Sequence, residues 1–376
     1  MGWLPWSLGL ADIGARVLMS DFIDLTGPAM GKIVHQEAMA SASAALDAGA
    51  THYTTRPGIV ELRGAIADHI VRWAGRRPDP LTEVLVTCGV EEAVFVAVLT
   101  TVGAGDRLLV VGPSPTTDEE LAAAAGGILD RLALPDVCDD VSQWLCLNTR
   151  PPVGAILVRN PTVDGLTVAE QVMRSLRQCA HDQGVPLLEV KALADFLPVV
   201  HDGTEMDVSR VGAAASVVIG DFSAWNLEGW RVGYVAGPSS LVGTMTDLMQ
   251  ALSICAPALG QYAALGALQS GEATLAATRT ILAGRATAFS TGLSDYGQAA
   301  NLRVAGQYLF LPVGGAEADV IDTLVREAGV RVEAGAPVGI PGALRVTLSE
   351  PEAVMLAAAT RIAACLFPKA REGVDG

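Results

Sequence analysis

The chain has 376 residues, 51% hydrophobic and 18% charged, which provides for a sizeable core and two domains and excludes a disordered chain. A formal net charge of −16 argues against nucleic acid or an anionic membrane as partner. The six cysteines have no paired metal spacing, and no basic, apolar leader precedes them, so reduced thiols and a cytoplasmic location are expected. The first ten residues are too few to span a bilayer and read as an arm packed on the body or on a second subunit.

In chain order, helical spacing runs over residues 31–48 and ends near Gly49. Pro57-Gly58 marks a turn, and an amphipathic helix begins at Glu61. Residues 83–87 form a short β-rich run, after which Cys88-Gly89-Val90-Glu91-Glu92-Ala93 opens a helix. A strand over 107–111 leads to Gly112-Pro113-Ser114-Pro115, then a helix through 121–125 and a weak strand near 131–134. Residues 136–148 carry no usable motif. A buried strand over 154–158 enters the loop Arg159-Asn160-Pro161-Thr162-Val163-Asp164-Gly165. A helix over 171–183 and a strand over 185–190 follow.

The apolar run Ala215-Ser216-Val217-Val218-Ile219 then leads into a polar loop, Gly220-Asp221-Phe222-Ser223-Ala224-Trp225-Asn226-Leu227-Glu228. Gly229-Trp230-Arg231-Val232-Gly233-Tyr234 leads out as the next strand. Open α/β sheets place their ligands at such a strand end. Residues 239–269 read as long helices bridging to a smaller domain, whose strands lie at 306–312, 330–333 and 343–348, with a last helix over 352–366.

Gly229-Trp230-Arg231, His52-Tyr53-Thr54-Thr55-Arg56-Pro57-Gly58 with Leu62-Arg63, and the strand–Gly89–helix turn together resemble the class I/II aminotransferases, fold type I enzymes that use pyridoxal phosphate (PLP). The resemblance covers nearly the whole chain. It implies an α/β fold with a mixed, mostly parallel seven-stranded sheet in a large domain (51–270). A smaller α/β domain (271–376) is joined by the arm and opening segment (1–50). It also implies a homodimer in which Tyr53 reaches the neighbouring subunit's site.

Measured against that family, the cofactor lysine is missing. Without a gap its place falls on Ser223; by motif it is deleted between Ser223 and Ala224, with Asp221 at a phosphate-binding serine's place. Neither side chain offers the primary amine a Schiff base needs. Glu91 stands at the phosphate cup's hydroxyl, and Pro115 near the stacking aromatic's place. Val163 stands at the ring asparagine's place, unless a slipped alignment gives that role to Asn160. Val190 replaces the pyridinium aspartate and Leu193 the following tyrosine. Tyr53, Arg231 and Arg345 are kept, Arg345 on the strand whose guanidinium holds a substrate carboxylate.

The expectation from these residues is a catalyst without PLP, using no cofactor and no metal, that acts on a carboxylate-bearing small molecule. Cyclisation, condensation, dehydration or isomerisation suits acids such as Glu91, Asp164 and Asp221 with Ser223 and Tyr53. Arg345, Arg231, Asn160, Trp225 and Gly27 are the candidate binding residues, and Arg231 has the alternative of pairing with Asp221 or Glu91. Two rivals are a PLP aminotransferase or lyase with a displaced lysine, and a non-catalytic partner of an active homologue. Of the three lysines, Lys369 lies in a polar tail, Lys191 should point off the cofactor face beside Glu189, and Lys32 near the pocket mouth is hardest to exclude.

Overall fold

The computed structural model describes residues 21–27, 35–134, 152–197 and 216–367. The arm over 1–20, the stretch 136–148, Lys32 and Lys369 lie outside the described residues. The first elements are β1 (Ile23–Asp24), α1 (Gln36–Asp47), α2 (Val60–His69), β2 (Val84–Thr87), α3 (Val90–Thr101) and β3 (Arg107–Val111). Then come α4 (Thr117–Ala124), β4 (Ile128–Leu132), β5 (Val153–Arg159), α5 (Glu170–Gln183), β6 (Leu187–Val190), β7 (Ser216–Asp221) and β8 (Gly233–Ala236).

Runs of branched apolar residues flanked by helices build a sheet buried on both faces. Its order is β2-β8-β7-β6-β5-β3-β4, parallel except for β8, which runs antiparallel to both neighbours. This is the expected mixed seven-stranded sheet. Alternation assigns its faces. Leu108, Val110, Leu157 and Leu188 pack toward α3, whereas Leu109, Val111, Ile156, Val158 and Leu187 pack toward α5.

The chain continues as α6 (Ser239–Leu252), α7 (Ala258–Gln269), α8 (Glu272–Leu293), β9 (Arg303–Ala305), β10 (Tyr308–Pro312), β11 (Val330–Arg331), β12 (Glu333–Ala334), β13 (Ala343–Thr347) and α9 (Glu352–Leu366). A second sheet, antiparallel, has the order β12-β13-β10-β9, and β1 pairs parallel with β11.

Several sequence expectations shift. Residues 239–269 do not form the bridge. Val242, Met245 and Met249 of α6 bury against the large sheet, and Gly266 of α7 lies against the Glu37 backbone of α1. The bridge is α8, whose Leu275, Leu282 and Phe289 share one core with Leu309, Leu344 and Val346 of the second sheet. Gly292 lets α8 approach α9 closely, since a Cβ there would lie 2.7 Å from Ala359 Cβ. The weak strand expected at 131–134 is Ile128–Leu132, in parallel register with β3. The expected 330–333 strand is two pieces, because Arg331 pairs with Asp24 and Glu333 with Arg345.

Candidate active site

A cleft of about 1070 Å³ opens where the ends of β3, β5 and β6 face α3, α4 and the second sheet. Its walls are mainly apolar, with Val90, Phe95, Leu121, Val163, Leu193 and Phe310 among them. The cleft lies at the carboxyl ends of the parallel strands, where such sheets bind ligands.

At one edge of the cleft is the turn from β2 into α3. Gly89 has φ +89°, and a Cβ there would lie 2.9 Å from Arg231 Cζ, so only glycine admits the guanidinium over the turn. Arg231, itself left-handed at φ +55°, donates to Glu91 Oε2 at 3.0 Å and to the Cys88 carbonyl at 3.1 Å. Glu92 folds back to accept from the Cys88 N–H at 2.6 Å. The helix start is thus covered by the chain's own acids and guanidinium. The Arg231–Glu91 pairing agrees with one sequence expectation, but its side chains are 52% and 71% exposed, so a buried pair is ruled out.

Asp221, at the end of β7, accepts from Ser223 Oγ at 2.7 Å and from the Ser223 N–H at 3.1 Å, and makes no bond to Arg231. Burial raises its carboxyl to about 7, against the Ser223 hydrogen bonds that lower it, with Glu91 and Asp195 adding repulsion.

The other expected site residues scatter. Asp164 is buried, accepts from Thr162 Oγ1 at 2.5 Å and pairs with Arg303, outside the cleft lining, so it is a loop anchor. Asn160 Oδ1 accepts from the Val168 N–H at 3.0 Å, which closes its own loop, and a binding role is not seen there. Trp225 is buried in the core, edge-on to His69 at 5.2 Å, and does not line the cleft. Gly27 follows β1, with open space where a Cβ would stand, and Tyr53 is 77% exposed on another face. Arg345 does line the cleft, over the Tyr308 ring at 4.8 Å, but Glu333 Oε2 holds it at 2.7 and 3.1 Å.

Sequence reasoning missed Asp118, which is fully buried and takes both guanidinium nitrogens of Arg159 at 2.7 and 2.8 Å in the cleft wall. The available signal was Arg159 itself, since an arginine closing a buried strand needs a carboxylate.

The family model for aminotransferase class I and II matches residues 28–362. The chain belongs to this family. A probable aspartate/prephenate aminotransferase of Thermus aquaticus is 27% identical over 86% of this chain and 85% of its own length. A probable N-succinyldiaminopimelate aminotransferase DapC of Mycobacterium tuberculosis is 28% identical over 76% and 71%. Aspartate aminotransferase from Thermus thermophilus, solved with maleate, superposes with a TM-score of 0.81 at 22% identity, over 95% of this chain and 94% of that one.

These aminotransferase relatives overturn several expectations from the sequence: a PLP-independent catalyst, a reaction such as cyclisation or dehydration, and no cofactor. They favour the rival reading of an aminotransferase with a displaced lysine.

Among the described residues no lysine lines the cleft, so an amine for PLP would have to come from outside them. Ser223 and Ala224 offer no amine, Val190 lines the cleft with an apolar side chain, and Arg231 pairs with Glu91 at the α3 start. Lys191 is buried on the α5 side of the sheet, 3.4 Å from Glu189 Oε2. Glu189 in turn takes Arg177 bidentately at 2.7 and 2.8 Å, which ties both residues away from the cleft, as strand alternation implied.

Proposed function

We propose that this aminotransferase-family protein carries out amino-group transfer on a small molecule bound in the cleft between its two sheets. The observation that carries the reading is the family match over residues 28–362, combined with an open cleft at the strand ends. Two domains divided near residue 270, a homodimer with Tyr53 near the partner subunit's site and a cytoplasmic location belong to the same reading. No helix among the described residues is long and apolar enough to cross a membrane.

The roles proposed for the chain's own groups are narrow. Asp221, bound to the Ser223 hydroxyl at 2.7 Å, lies outside the cleft lining, so neither residue is assigned a proton-handling role. Glu91 and Arg231 set the charge at the α3 start. Arg345 is assigned no substrate carboxylate, because such a group would have to displace Glu333.

The reading also requires an amine for PLP, and Lys32 is the lysine it leaves. The test is borohydride reduction of the PLP-incubated protein, peptide mapping, and a transamination assay with amino-acid donors. Stoichiometric pyridoxyl label on Lys32, with turnover lost in Lys32→Ala, is the expected result. Absence of both label and turnover overturns it. One observation, the ion pair across the cup, favours a second reading, a non-catalytic family member, and this predicts no turnover with any donor.

A further inference from the structure

Three glycines mark close contacts between the unit of the second sheet and the loops that follow β3, β5 and β6. Gly165, in the loop after β5, lies against the Val304 carbonyl of β9, and beside it the buried Asp164 pairs with Arg303. Gly306, just after β9, lies under the buried ring of Phe196, which follows β6. Gly339, at φ +88°, lies so close to the loop after β3 that a Cβ on it would stand 2.6 Å from the Ser114 nitrogen.

The three contacts differ in what fastens them. The first buries a carboxylate and the second a ring. At the third, Thr116 donates through its N–H at 3.0 Å and its hydroxyl at 3.3 Å, and both bonds end on one carbonyl, that of the exposed Pro337. The segment that carries Pro337 and Gly339 is stiff in itself. It joins β12 to β13 through a single 3₁₀ turn, Ala336–Val338. The Glu317 carboxylate accepts from the Ala336 N–H at 3.1 Å and from the Gly342 N–H at 2.5 Å, one near each end. Gly335 N–H donates to the Ala343 carbonyl at 2.8 Å, and Ile340 N–H to the Gly335 carbonyl at 3.0 Å. The segment is thus tied within itself more densely than it is tied to the body, so thermal opening breaks the seam first. Pro337 and Val338 on one side of the seam and Pro115 and Thr116 on the other all line the cleft.

We infer that residues 335–342 form a clasp, a preformed body that closes this edge of the cleft by seating on Ser114–Thr116 and opens it by lifting off whole. The Gly165 and Gly306 contacts stay made as it lifts. This motion is local, and it differs from a swing of the whole second sheet, which would break all three contacts together. It does not depend on which reaction the cleft supports.

The test is hydrogen exchange of the full-length protein at neutral pH, read at single amides by mass spectrometry, with every rate taken relative to the Leu109 and Val110 amides of β3. The Thr116 amide, whose acceptor lies across the seam, is expected to exchange about tenfold or more faster than those β3 amides, and ahead of the Ala336 and Gly342 amides. Gly339→Ala sets a Cβ against the Ser114 backbone and should speed Thr116 about tenfold further. Thr116→Ala, at an exposed position, removes only the hydroxyl bond and should speed it about threefold. In both variants the Ala336 and Gly342 amides should keep their rates. A Thr116 amide as slow as β3 in the unaltered protein overturns the inference, as does a Thr116 rate that neither variant changes. Acceleration of Ala336 and Gly342 together with Thr116 overturns it too, because the segment then melts instead of lifting. Arg303→Ala cuts the Asp164 pair and should leave Thr116 unchanged. Acceleration there equal to that in Gly339→Ala would mean that the whole second sheet swings, and would overturn the clasp.

Discussion

Among single residues, Asp221 makes the strongest claim, because it sits half-buried at a strand end with its carboxyl raised to about 7, mainly by burial. An acid raised in the folded state holds a proton there that the unfolded chain has released, so the folded state binds more protons between about pH 4 and pH 7. Stability from this group is therefore present at low pH, falls as pH rises through that window, and levels off above it. Asp221→Asn should flatten this slope and stabilise the protein at pH near 8 by on the order of 1–2 kcal/mol, read as urea midpoints across pH. An unchanged slope in the variant would show that other groups carry it. Cys88 gives a second test at this scale. Burial raises its thiol to about 11, and the neighbouring Glu92 adds to that, so little thiolate exists at neutral pH. Iodoacetamide at mildly alkaline pH should leave Cys88 unlabelled in the folded protein and label it after unfolding, and rapid labelling in the native state would contradict the placement.

At the level of elements, the ion pairs differ in weight by where they sit. Arg177 on α5 and Lys191 just beyond β6 both serve Glu189, under a helix-covered sheet face. Burial alone would raise Glu189, but Lys191 and Arg177 outweigh it and hold the carboxyl below its usual range. Arg177→Met should cost ~3–5 kcal/mol by leaving buried charge poorly matched. Arg231→Ala, across an exposed pair, should cost no more than about 1 kcal/mol, well under what a buried pair would lose. Equal losses in urea denaturation would refute the distinction. The same contrast explains what the sequence disclosed. Strands such as Val84–Thr87 and Arg107–Val111 are continuous apolar runs and were legible, as was α9, whose limits are Glu352–Leu366. The role of α8 was not, because its apolar residues are diluted by alanine and threonine and its packing partners lie in the second sheet. Within the site, the Arg231–Glu91 pair was readable from the turn that both flank. Asp164 and Trp225 were misread because their partners, Arg303 and His69, lie 139 and 156 positions away in the chain.

For the whole molecule, the family match carries the architecture. The proposed homodimer has a candidate contact surface in apolar side chains that the described fold leaves exposed. Leu46 near the end of α1, Tyr53 in the loop after it and Val60 at the start of α2 are 50%, 77% and 47% exposed. The loop around Tyr53 shares a shallow depression with Val60, Ala258 and Tyr262, which brings α2 and α7 to the same surface. Isolated exposed apolar side chains are ordinary, but a group of them around one depression is where the proposed homodimer would make its contact. A net charge of −16 works against close approach of two copies, so the proposed contact would rest on apolar burial and weaken little as salt is added. Light scattering at about 10 µM should give twice the 38.8 kDa chain mass, with the same result at low and high salt. Tyr53→Arg combined with Val60→Glu, both surface changes that leave the core untouched, should shift the mass to that of one chain with the thermal midpoint of the residual fold still measurable. A single-chain mass for the unaltered protein would refute the interface, and a dimer that persists in the double variant would place it on another face.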